Sequence, residues 1–457
     1  MFLASAPVVT LRCPGEAYDI PLAVHRARLA AGYAKCRHCP HHPAAVGLPV
    51  PECAAGGPPG ETGESAIAPA VAALFQPEGI RGVYLNQLDR QLAGELAAAF
   101  AQVLARELPE IPLEEGVGLE APAELPAEGG EGVRVLQAGV RGPTVVLAQD
   151  ERPSSPDLAR GVCLALRRMG FQVVDLGIAT RGEMGWAIGH LQGVGGVLVT
   201  GAGKGPEWTG LDLAGPGGEP WSQSGRLADV LRTWQSGVVR GARRSGGLRS
   251  SRLRGEYLAH YQPWCHALRP LRMAWSCAAR LPTRLLRQLL QTTACQLFEV
   301  ETAVRSRPLD GLGERDLQPL VDCVLRERAH LGLWVDELGQ QVWLVDERGM
   351  LVPSDRHARW LRGSELGTGQ TAGAVPRWAS REAAWRALRQ TEVGQVEGPA
   401  GFHGFSTPFA GCDAVGTIVR TLQALSQSDR AVSDWIAQCH RTSLPDVCSR
   451  ENMANDR

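Results

Sequence analysis

The sequence predicts an α/β fold made of consecutive layered domains, in which helices cover mixed or parallel sheets. Two observations carry this prediction. Short runs of Val, Leu and Ile alternate along the chain with segments that repeat apolar residues at helical spacing, as βαβ units do. The chain of 457 residues is also long enough for about three domains of roughly 150 residues each. Its composition, 44% hydrophobic and 21% charged, is typical of domains with apolar cores.

The first regular region runs from residue 144 to residue 200. The patterns predict strands at 144–148, 173–176 and 196–200 and helices at 157–169 and 183–191. Strands that alternate with helices of this length form right-handed crossovers and a parallel sheet. Ligands bind beyond the carboxyl ends of such strands, so the segment after residue 200 is a candidate site.

A second regular region follows residue 270. Strands are predicted at 271–275 and 296–300, helices at 282–292, 316–328 and 413–425, and a hairpin from 331–336 and 342–346. The whole chain is divided into a Cys/His module at 1–55, a linker at 56–73, domain I at 74–240, a basic linker at 241–254, domain II at 255–328, a reduced domain III at 329–440 and a tail at 441–457. Within domain I, residues 107–142 lack periodicity and are expected to form a disordered or surface-exposed loop.

Charge and hydropathy exclude several classes of function. The formal net charge is −1, so no overall field favours nucleic acid or an anionic membrane. The basic stretch at 241–254 is interpreted as a solvated linker rather than a polyanion-binding patch. No apolar run approaches the roughly 20 residues that cross a bilayer, and the first residues lack a signal-peptide pattern. A soluble, cytoplasmic protein is therefore expected, with its twelve cysteines as reduced thiols.

The N-terminal module contains a Cys-x₂-Cys knuckle at Cys36 and Cys39. Zinc in proteins takes four Cys or His ligands, and we expect Cys13 and His25 to complete the set. A full zinc ribbon would have a second Cys-x₂-Cys pair, whereas Glu16 stands at the partner position after Cys13. Free thiols are therefore an equal alternative to a zinc site.

A loop with the sequence Thr-Gly-Ala-Gly-Lys at 200–204 follows the third predicted strand and leads into Pro-Glu-Trp-Thr-Gly at 206–210. This frame resembles the active-site loop of the alpha-D-phosphohexomutases, Thr-Ala-Ser-His-Asn-Pro followed by Pro-Glu-Tyr-Asn-Gly. The serine of that family carries the phosphate, and Ala202 stands in its place. Gly203 stands in place of the histidine. The resemblance thus indicates a family member whose nucleophile is missing.

Three further segments resemble the family in order and approximate spacing. Phe-Gln-Pro-Glu-Gly-Ile-Arg-Gly at 75–82 is similar to the family's Phe-Gly-Thr-Asp-Gly-Ile-Arg-Gly, whose arginine approaches the phosphoserine, and Arg81 stands at that position. Gln-Asp-Glu-Arg-Pro-Ser-Ser at 149–155 resembles Arg-Asp-Thr-Arg-Pro-Ser-Ser, and Gly-Cys-Asp-Ala at 411–414 resembles the end of the third domain. In this order, the segments identify the chain as a member of the family over residues 75 to about 440. The resemblance implies consecutive α/β/α domains.

Membership implies phosphoryl transfer assisted by a divalent cation. The family holds Mg²⁺ with the phosphoserine and the aspartates of an Asp-Gly-Asp-Ala-Asp-Arg loop, whose hard oxygens suit this cation. The matching residues 336–341 keep only Asp336. Glu337 is an alternative ligand if the segment turns, although successive residues of a strand point to opposite faces. An ordinary acidic hairpin turn is preferred, so Mg²⁺ binding is in doubt.

The residues that the resemblance implies for substrate binding also differ from those of the family. The family's sugar loop, Gly-Glu-Glu/Met-Ser-Gly-His, matches residues 397–402 best, where only Gly401 is kept. The phosphate loop of the fourth domain has no match, and that C-terminal phosphate-binding domain is expected to be missing. Arg81, Lys204 and Gly401 are the remaining candidates for substrate binding. Lys204 and the glycines beside it are interpreted either as an anion cradle of backbone N–H groups or as a flexible loop.

Thr200 carries a hydroxyl close to the serine position, but a displacement of two residues exceeds the tolerance of about 1 Å for in-line attack. We expect Thr200 to end its strand, hydrogen-bonded to the turn. The sequence favours a degenerate phosphohexomutase homologue, with no catalytic residue, that binds a sugar phosphate or a protein partner. The alternatives are an active phosphoglucomutase or phosphomannomutase with substitute residues, and a scaffold whose zinc module binds a protein or nucleic acid.

Overall fold

A computed structural model describes the parts of the chain that carry the candidate site. These parts are residues 10–12, 20–21, 67–107, 142–238, 241–301, 314–365, 385–386, 395–397, 403–405 and 411–440. Within them the chain forms two large sheets flanked by helices, which confirms the α/β prediction. None of the helices in these ranges is both long and apolar enough to cross a membrane.

The first large sheet contains seven strands. A short strand pair, β1 (Thr10–Leu11) and β2 (Ile20–Pro21), precedes it. The strands of the sheet are β3 (Phe75–Gln76), β4 (Gly79–Val83), β5 (Thr144–Gln149), β6 (Gln172–Ile178), β7 (Gly195–Val199), β8 (Trp208–Ala214) and β9 (Leu248–Ser250). Their order is β3-β4-β8-β7-β5-β6-β9. Because β7, β5, β6 and β9 are parallel, their carboxyl ends share one edge of the sheet.

Five helices accompany the first sheet. They are α1 (Ile67–Ala72), α2 (Arg90–Glu107), α3 (Ser155–Arg168), α4 (Arg181–His190) and α5 (Arg226–Gln235). Helix α4 begins two residues before the predicted start because Thr180 and Glu183 form a capping box, in which each side chain accepts the other's backbone N–H. The two central helical predictions, and the strands between them, are thus confirmed to within a few residues.

The second large sheet contains five strands. They are β10 (Arg272–Cys277), β11 (Gln296–Val300), β12 (Leu331–Val335), β13 (Val342–Asp346) and β14 (Leu351–Val352), in the order β11-β10-β12-β13-β14. A third, small sheet has the order β15 (Gln395–Glu397), β16 (His403–Phe405), β17 (Gly411–Cys412). The helices of this half are α6 (Arg254–Tyr261), α7 (Arg280–Leu290), α8 (Glu314–Glu327), α9 (Ser354–Glu365), α10 (Ala414–Ser426) and α11 (Val432–His440).

The sheet pairing differs from the predicted division of the chain at two places. Strand β10 pairs with both β11 and β12, so the boundary between 255–328 and 329–440 cuts through one sheet. The predicted linker at 241–254 contains β9, which pairs in parallel with β6. The sequence shows no sign of this strand because all three β9 residues are exposed at the sheet edge. An exposed strand does not need the apolar residues from which strands were predicted.

One apolar core joins the two halves of the described chain. It includes Val146 from the first sheet, Met184 from α4, Leu285 from α7, Leu338 from the turn after β12 and Val415 from α10. This shared core holds the turn after β12 against the carboxyl edge of the first sheet. The candidate site lies at that junction.

Candidate functional site

The loop after β7 begins with a buried threonine. The Thr200 side chain is fully buried, and its hydroxyl oxygen accepts the backbone N–H of Ala202 at 3.0 Å. Thr200 therefore ends its strand bonded to the turn, as predicted. Its hydroxyl points into the loop backbone and is not available at the Ala202 position as a substitute nucleophile.

The backbone N–H groups of this loop are used within the protein. Gly201 donates to the Asp150 carboxylate at 3.1 Å, and Lys204 donates to the Gly201 carbonyl at 3.2 Å. Together with the bond from Ala202, three N–H groups of the loop, those of residues 201, 202 and 204, are engaged. These three groups are therefore not available to the anion cradle considered for Lys204 and its neighbouring glycines. What remains is the Lys204 amino group, which lies 5.3 Å from the centroid of the Trp208 ring.

Arg81 on β4 reaches the loop as the sequence comparison implies. Its Nε donates to the Ala202 carbonyl oxygen at 3.3 Å, and its Nη1 lies 2.7 Å from the Asp212 carboxylate. Both side chains are buried, and Arg181 approaches the second Asp212 oxygen at 3.6 Å. Gly79 makes this packing possible, because a Cβ there would lie 2.4 Å from the Asp212 carboxylate. Since Asp212 balances its charge, Arg81 anchors the loop rather than offering a free cation.

Arg152 fastens the loop from the opposite side. Its guanidinium donates to the carbonyl oxygens of Gly205 at 2.6 Å, Lys204 at 3.1 Å and Trp208 at 3.3 Å. It also donates to the Glu337 carboxylate at 2.8 Å, and only 13% of the side chain is exposed. Three carbonyls and a carboxylate occupy the guanidinium, so Arg152 is committed to holding the loop and the turn after β12 together.

Asp150 connects the first two strands of the site. Its carboxylate accepts the backbone N–H of Arg152 at 3.0 Å and that of Gly201 at 3.1 Å, and the Ser155 hydroxyl donates to it. These bonds join the end of β5, the start of α3 and the loop after β7. The resemblance of residues 149–155 to the family is therefore visible as a local scaffold.

The turn after β12 is built around Asp336. Its Oδ1 accepts the backbone N–H groups of Gln340 at 2.6 Å and Gln341 at 2.7 Å, and its Oδ2 accepts that of Leu338 at 3.3 Å. Glu337 points to Arg152, and burial raises the pKa of Glu337 although the nearby guanidinium opposes the shift. The predicted acidic turn is thus present.

The residues of this turn do not fit a magnesium site. Mg²⁺ requires several hard oxygens directed at one point. Both Asp336 oxygens already accept N–H groups, and Leu338 packs in the apolar core with 6% of its surface exposed. In the ranges that the structure covers, no three His, Cys, Asp or Glu side chains are arranged to hold a metal. The zinc candidates Cys13, His25, Cys36 and Cys39 and the sugar-loop candidate Gly401 lie outside the described residues.

The turn instead joins the two halves of the chain. The Leu338 carbonyl accepts the N–H of Arg181 at 3.2 Å, and the Gly339 carbonyl accepts that of Ala414 at 2.9 Å. A third bond runs nearby from the N–H of Arg280 to the Glu151 carboxylate at 2.8 Å. The position where the family places its metal ligands therefore serves here as an internal joint.

A buried carboxyl beside the joint was not singled out by the sequence patterns. Asp413 accepts the hydroxyls of Tyr257 at 2.5 Å and Tyr261 at 2.8 Å, and it caps α10 by accepting the N–H of Val415. Burial raises the pKa of Asp413 to about 6, and the tyrosine hydrogen bonds reduce that shift. Gly182 packs directly against this carboxyl group, since a Cβ on Gly182 would lie 2.6 Å from the Asp413 carboxyl carbon. The sequence does contain a signal for this pair, because Tyr257 and Tyr261 are four residues apart and therefore lie on one face of α6.

Comparison with known proteins agrees with this architecture. Residues 130–228 match the family model of phosphoglucomutase/phosphomannomutase, alpha/beta/alpha domain I. The phosphoglucosamine mutase of Synechococcus sp. (strain RCC307) is 27% identical over 231 residues, which are 49% of this chain and 49% of the relative. By sequence, residues 130–228 are therefore a phosphoglucomutase/phosphomannomutase domain I. Compared with the alpha-D-phosphohexomutases, the chain keeps the frame of the serine loop and has alanine at the serine position.

Other phosphohexomutases extend the comparison. The phosphoglucosamine mutase of Mycobacterium tuberculosis (strain ATCC 25618 / H37Rv) is 25% identical over 295 residues, 62% of this chain and 58% of the relative. The chain thus spans about half of the length of the curated relatives it matches. A phosphoglucomutase/phosphomannomutase family protein from Burkholderia thailandensis has a TM-score of 0.64 at 19% identity, covering 82% of this chain and 80% of that chain. The Paramecium phosphoprotein pp63/parafusin (phosphoglucomutase) has a TM-score of 0.55 at 10% identity, covering 80% and 74%. These structures share the fold.

Proposed function

We propose that this phosphohexomutase homologue is a pseudoenzyme that binds a sugar phosphate without transferring its phosphoryl group. The observation that carries the proposal is Ala202 at the serine position, beside a Thr200 hydroxyl that is buried and bonded to the loop backbone. Phosphoryl transfer requires a nucleophile in line with the leaving oxygen. Neither residue supplies one.

The groups around Ala202 support the same interpretation. Arg81 is balanced by Asp212, and Arg152 is occupied by three carbonyls and Glu337. Transition-state stabilisation requires cations and a metal ion directed at the transferred group. Here these cations hold the protein together, so restoring the serine alone would not restore the reaction.

A sugar phosphate would bind at Lys204 and Trp208. The Lys204 amino group has no ion-pair partner among the described residues, and it lies over the indole ring at 5.3 Å. A half-buried ammonium beside an aromatic ring combines a phosphate-binding charge with a flat apolar surface for a sugar ring. The two relatives named above are phosphoglucosamine mutases, which makes glucosamine 6-phosphate the first ligand to test.

The catalytic half of the proposal is tested by label transfer. The protein is incubated with glucose 1,6-bisphosphate that carries a radioactive phosphoryl group, with a phosphomannomutase/phosphoglucomutase such as that of Pseudomonas aeruginosa as the positive control. We expect no protein-bound label in the wild type or in Ala202→Ser. Label on the wild type would establish the active-mutase alternative. Label on Ala202→Ser alone would show that only the nucleophile has been lost.

The binding half is tested by thermal unfolding with glucosamine 6-phosphate. We expect the ligand to raise the Tm of the wild type and of Arg430→Ala, but not that of Lys204→Ala. Arg430 is a matched control because its guanidinium also lies over an indole ring, 5.2 Å from Trp435 and away from the loop. An unchanged Tm in the wild type would contradict sugar-phosphate binding and favour a protein partner.

A further inference from the structure

A second cleft lies at the carboxyl ends of β6 and β9, and none of the loop residues 200–208 line it. Its volume is about 550 Å³, within the range of small-molecule sites. The lining comes from the ends of both strands, from α4, from the start of α6 and from Gln288 on α7. In parallel α/β sheets, ligands bind beyond the carboxyl ends of the strands. The position of this cleft is therefore typical of a binding site.

Arg254 is held in position at the cleft. Its Nε donates to the Glu183 carboxylate at 2.8 Å, and its Nη2 donates to the Ile178 carbonyl at 2.7 Å. Glu183 is itself buried and fixed by the capping box with Thr180. Within the described part of the chain, no hydrogen bond engages Nη1. A guanidinium fixed on one side in this way can bind an anion with little further loss of conformational entropy.

Arg252 adds a second positive charge to the lining. Its side chain is exposed, and no carboxylate in the described ranges pairs with it. The Ser250 hydroxyl lies on the same wall as a further donor. With Glu183 as the one carboxylate in the lining, the charged groups of the cleft sum to a net positive charge. This balance favours a ligand that carries an anionic group.

The remaining wall is apolar. It contains Leu176, Ile178, Trp186 and Leu258. Ile178 is 43% exposed, so part of this apolar wall is open to solvent. Covering such a surface gains free energy in proportion to the apolar area buried. The cleft therefore offers an apolar contact next to its two arginines.

We propose that this cleft binds a small organic anion. Arg252 and Arg254 would bind the charged oxygens, and the apolar part of the ligand would lie against Leu176 and Ile178. The proposal is independent of sugar-phosphate binding at Lys204 because the two sites share no residue. It also gives the basic stretch at 241–254 a role that differs from that of a solvated linker.

The test uses titration calorimetry of the full chain with phenyl phosphate. We expect saturable binding that Arg252→Glu weakens by about tenfold. Arg249→Glu is the matched control: Arg249 is also exposed, lies on β9 three residues before Arg252 and does not line the cleft. That variant should retain the affinity of its parent. All titrations use protein that carries Lys204→Ala, because Lys204 is itself a proposed phosphate site. Both variants alter the surface rather than the core, so circular dichroism should show them folded.

Two results of these titrations would overturn the proposal. They are the absence of saturable binding in the Lys204→Ala background, and an equal loss in Arg249→Glu and Arg252→Glu. Inorganic phosphate is the second ligand to be titrated. It should bind at least about tenfold more weakly than phenyl phosphate, because it lacks the apolar part. Equal affinities would show that the apolar wall plays no role and would contradict the class of ligand proposed.

Discussion

The loop after β7 and the turn after β12 meet in the Arg152–Glu337 ion pair, yet they depart from the family pattern in different ways. In the loop, Ala202 replaces a reactive residue with a smaller one, while Arg81 and Arg152 still hold the backbone. In the turn, Leu338 replaces a metal ligand and is buried in the core that joins the two halves. The loop differs from the family at a half-buried position, and the turn differs at a position inside the core. Restoring the family residue should therefore change the free energy of unfolding little in the loop and lower it strongly in the turn.

The largest effect is expected from returning an aspartate to the turn. Leu338→Asp removes a buried apolar side chain and places a carboxylate in the core, so the free energy of unfolding should fall by about 4 kcal/mol. Chemical denaturation measures this value. Leu338→Met is the control and should cost less than about 1.5 kcal/mol because it conserves volume. A Leu338→Asp protein as stable as the wild type would mean that the turn is not part of the core.

Arg152→Ala should have the next largest effect. The substitution leaves the Glu337 carboxylate and three carbonyls without their donor in a site where little of either side chain is exposed. We expect a loss of about 3 kcal/mol in the free energy of unfolding. Arg160→Ala, at an exposed position of α3, should change stability by less than about 0.5 kcal/mol. Similar losses in the two variants would show that the loop and the turn are not coupled through Arg152.

The junction should also respond to pH through Asp413. Its pKa is raised from 3.8 to about 6 in the folded protein, so folding favours the protonated carboxyl. The resulting stabilisation is complete below pH 3.8 and is lost as the pH rises through 6. Relative to Asp413→Asn, the wild type should lose about 2 kcal/mol of stability between about pH 4 and pH 7. A difference between the two unfolding curves that does not vary with pH would contradict a raised pKa.

The smallest effect is expected from Ala202→Ser. Ala202 is half-buried in a loop whose backbone is already held by Arg81, Arg152 and Asp150. One added hydroxyl should change the free energy of unfolding by less than about 0.5 kcal/mol. Thermal unfolding of the same sample used for label transfer measures it. A loss as large as that of Leu338→Asp would remove the distinction between the two regions.

The elements that the apolar patterns predicted are found in the structure to within a few residues. The strand predicted at 196–200 is observed as Gly195–Val199, and the hairpin at 331–346 is observed as Leu331–Val335 and Val342–Asp346. Apolar periodicity reports burial, and these strands are buried. The exposed edge strand Leu248–Ser250 was missed because its residues carry no such pattern.

The site was predictable only where its signal is local. The Ala202 substitution and the acidic turn at Asp336 can be read from neighbouring residues. By contrast, Arg152 and Glu337 are 185 positions apart, and Tyr257 and Asp413 are 156 positions apart. No spacing rule connects residues at such separations. The sequence also could not predict that N–H groups of the loop are engaged, because the acceptor of the Gly201 N–H is Asp150, 51 positions away.

The order of residues alone established the layered α/β class, the resemblance to the phosphohexomutases and the absence of a serine at residue 202, because periodicity and motif spacing are local properties of the chain. Only the packed chain showed what the altered positions do. Burial turned Leu338 into a core residue, and pairing with Asp212 turned Arg81 into an anchor. Contacts between distant segments form only when the two halves fold together, so the cleft at β6 and β9 and the joint at Asp413 belong to the tertiary structure.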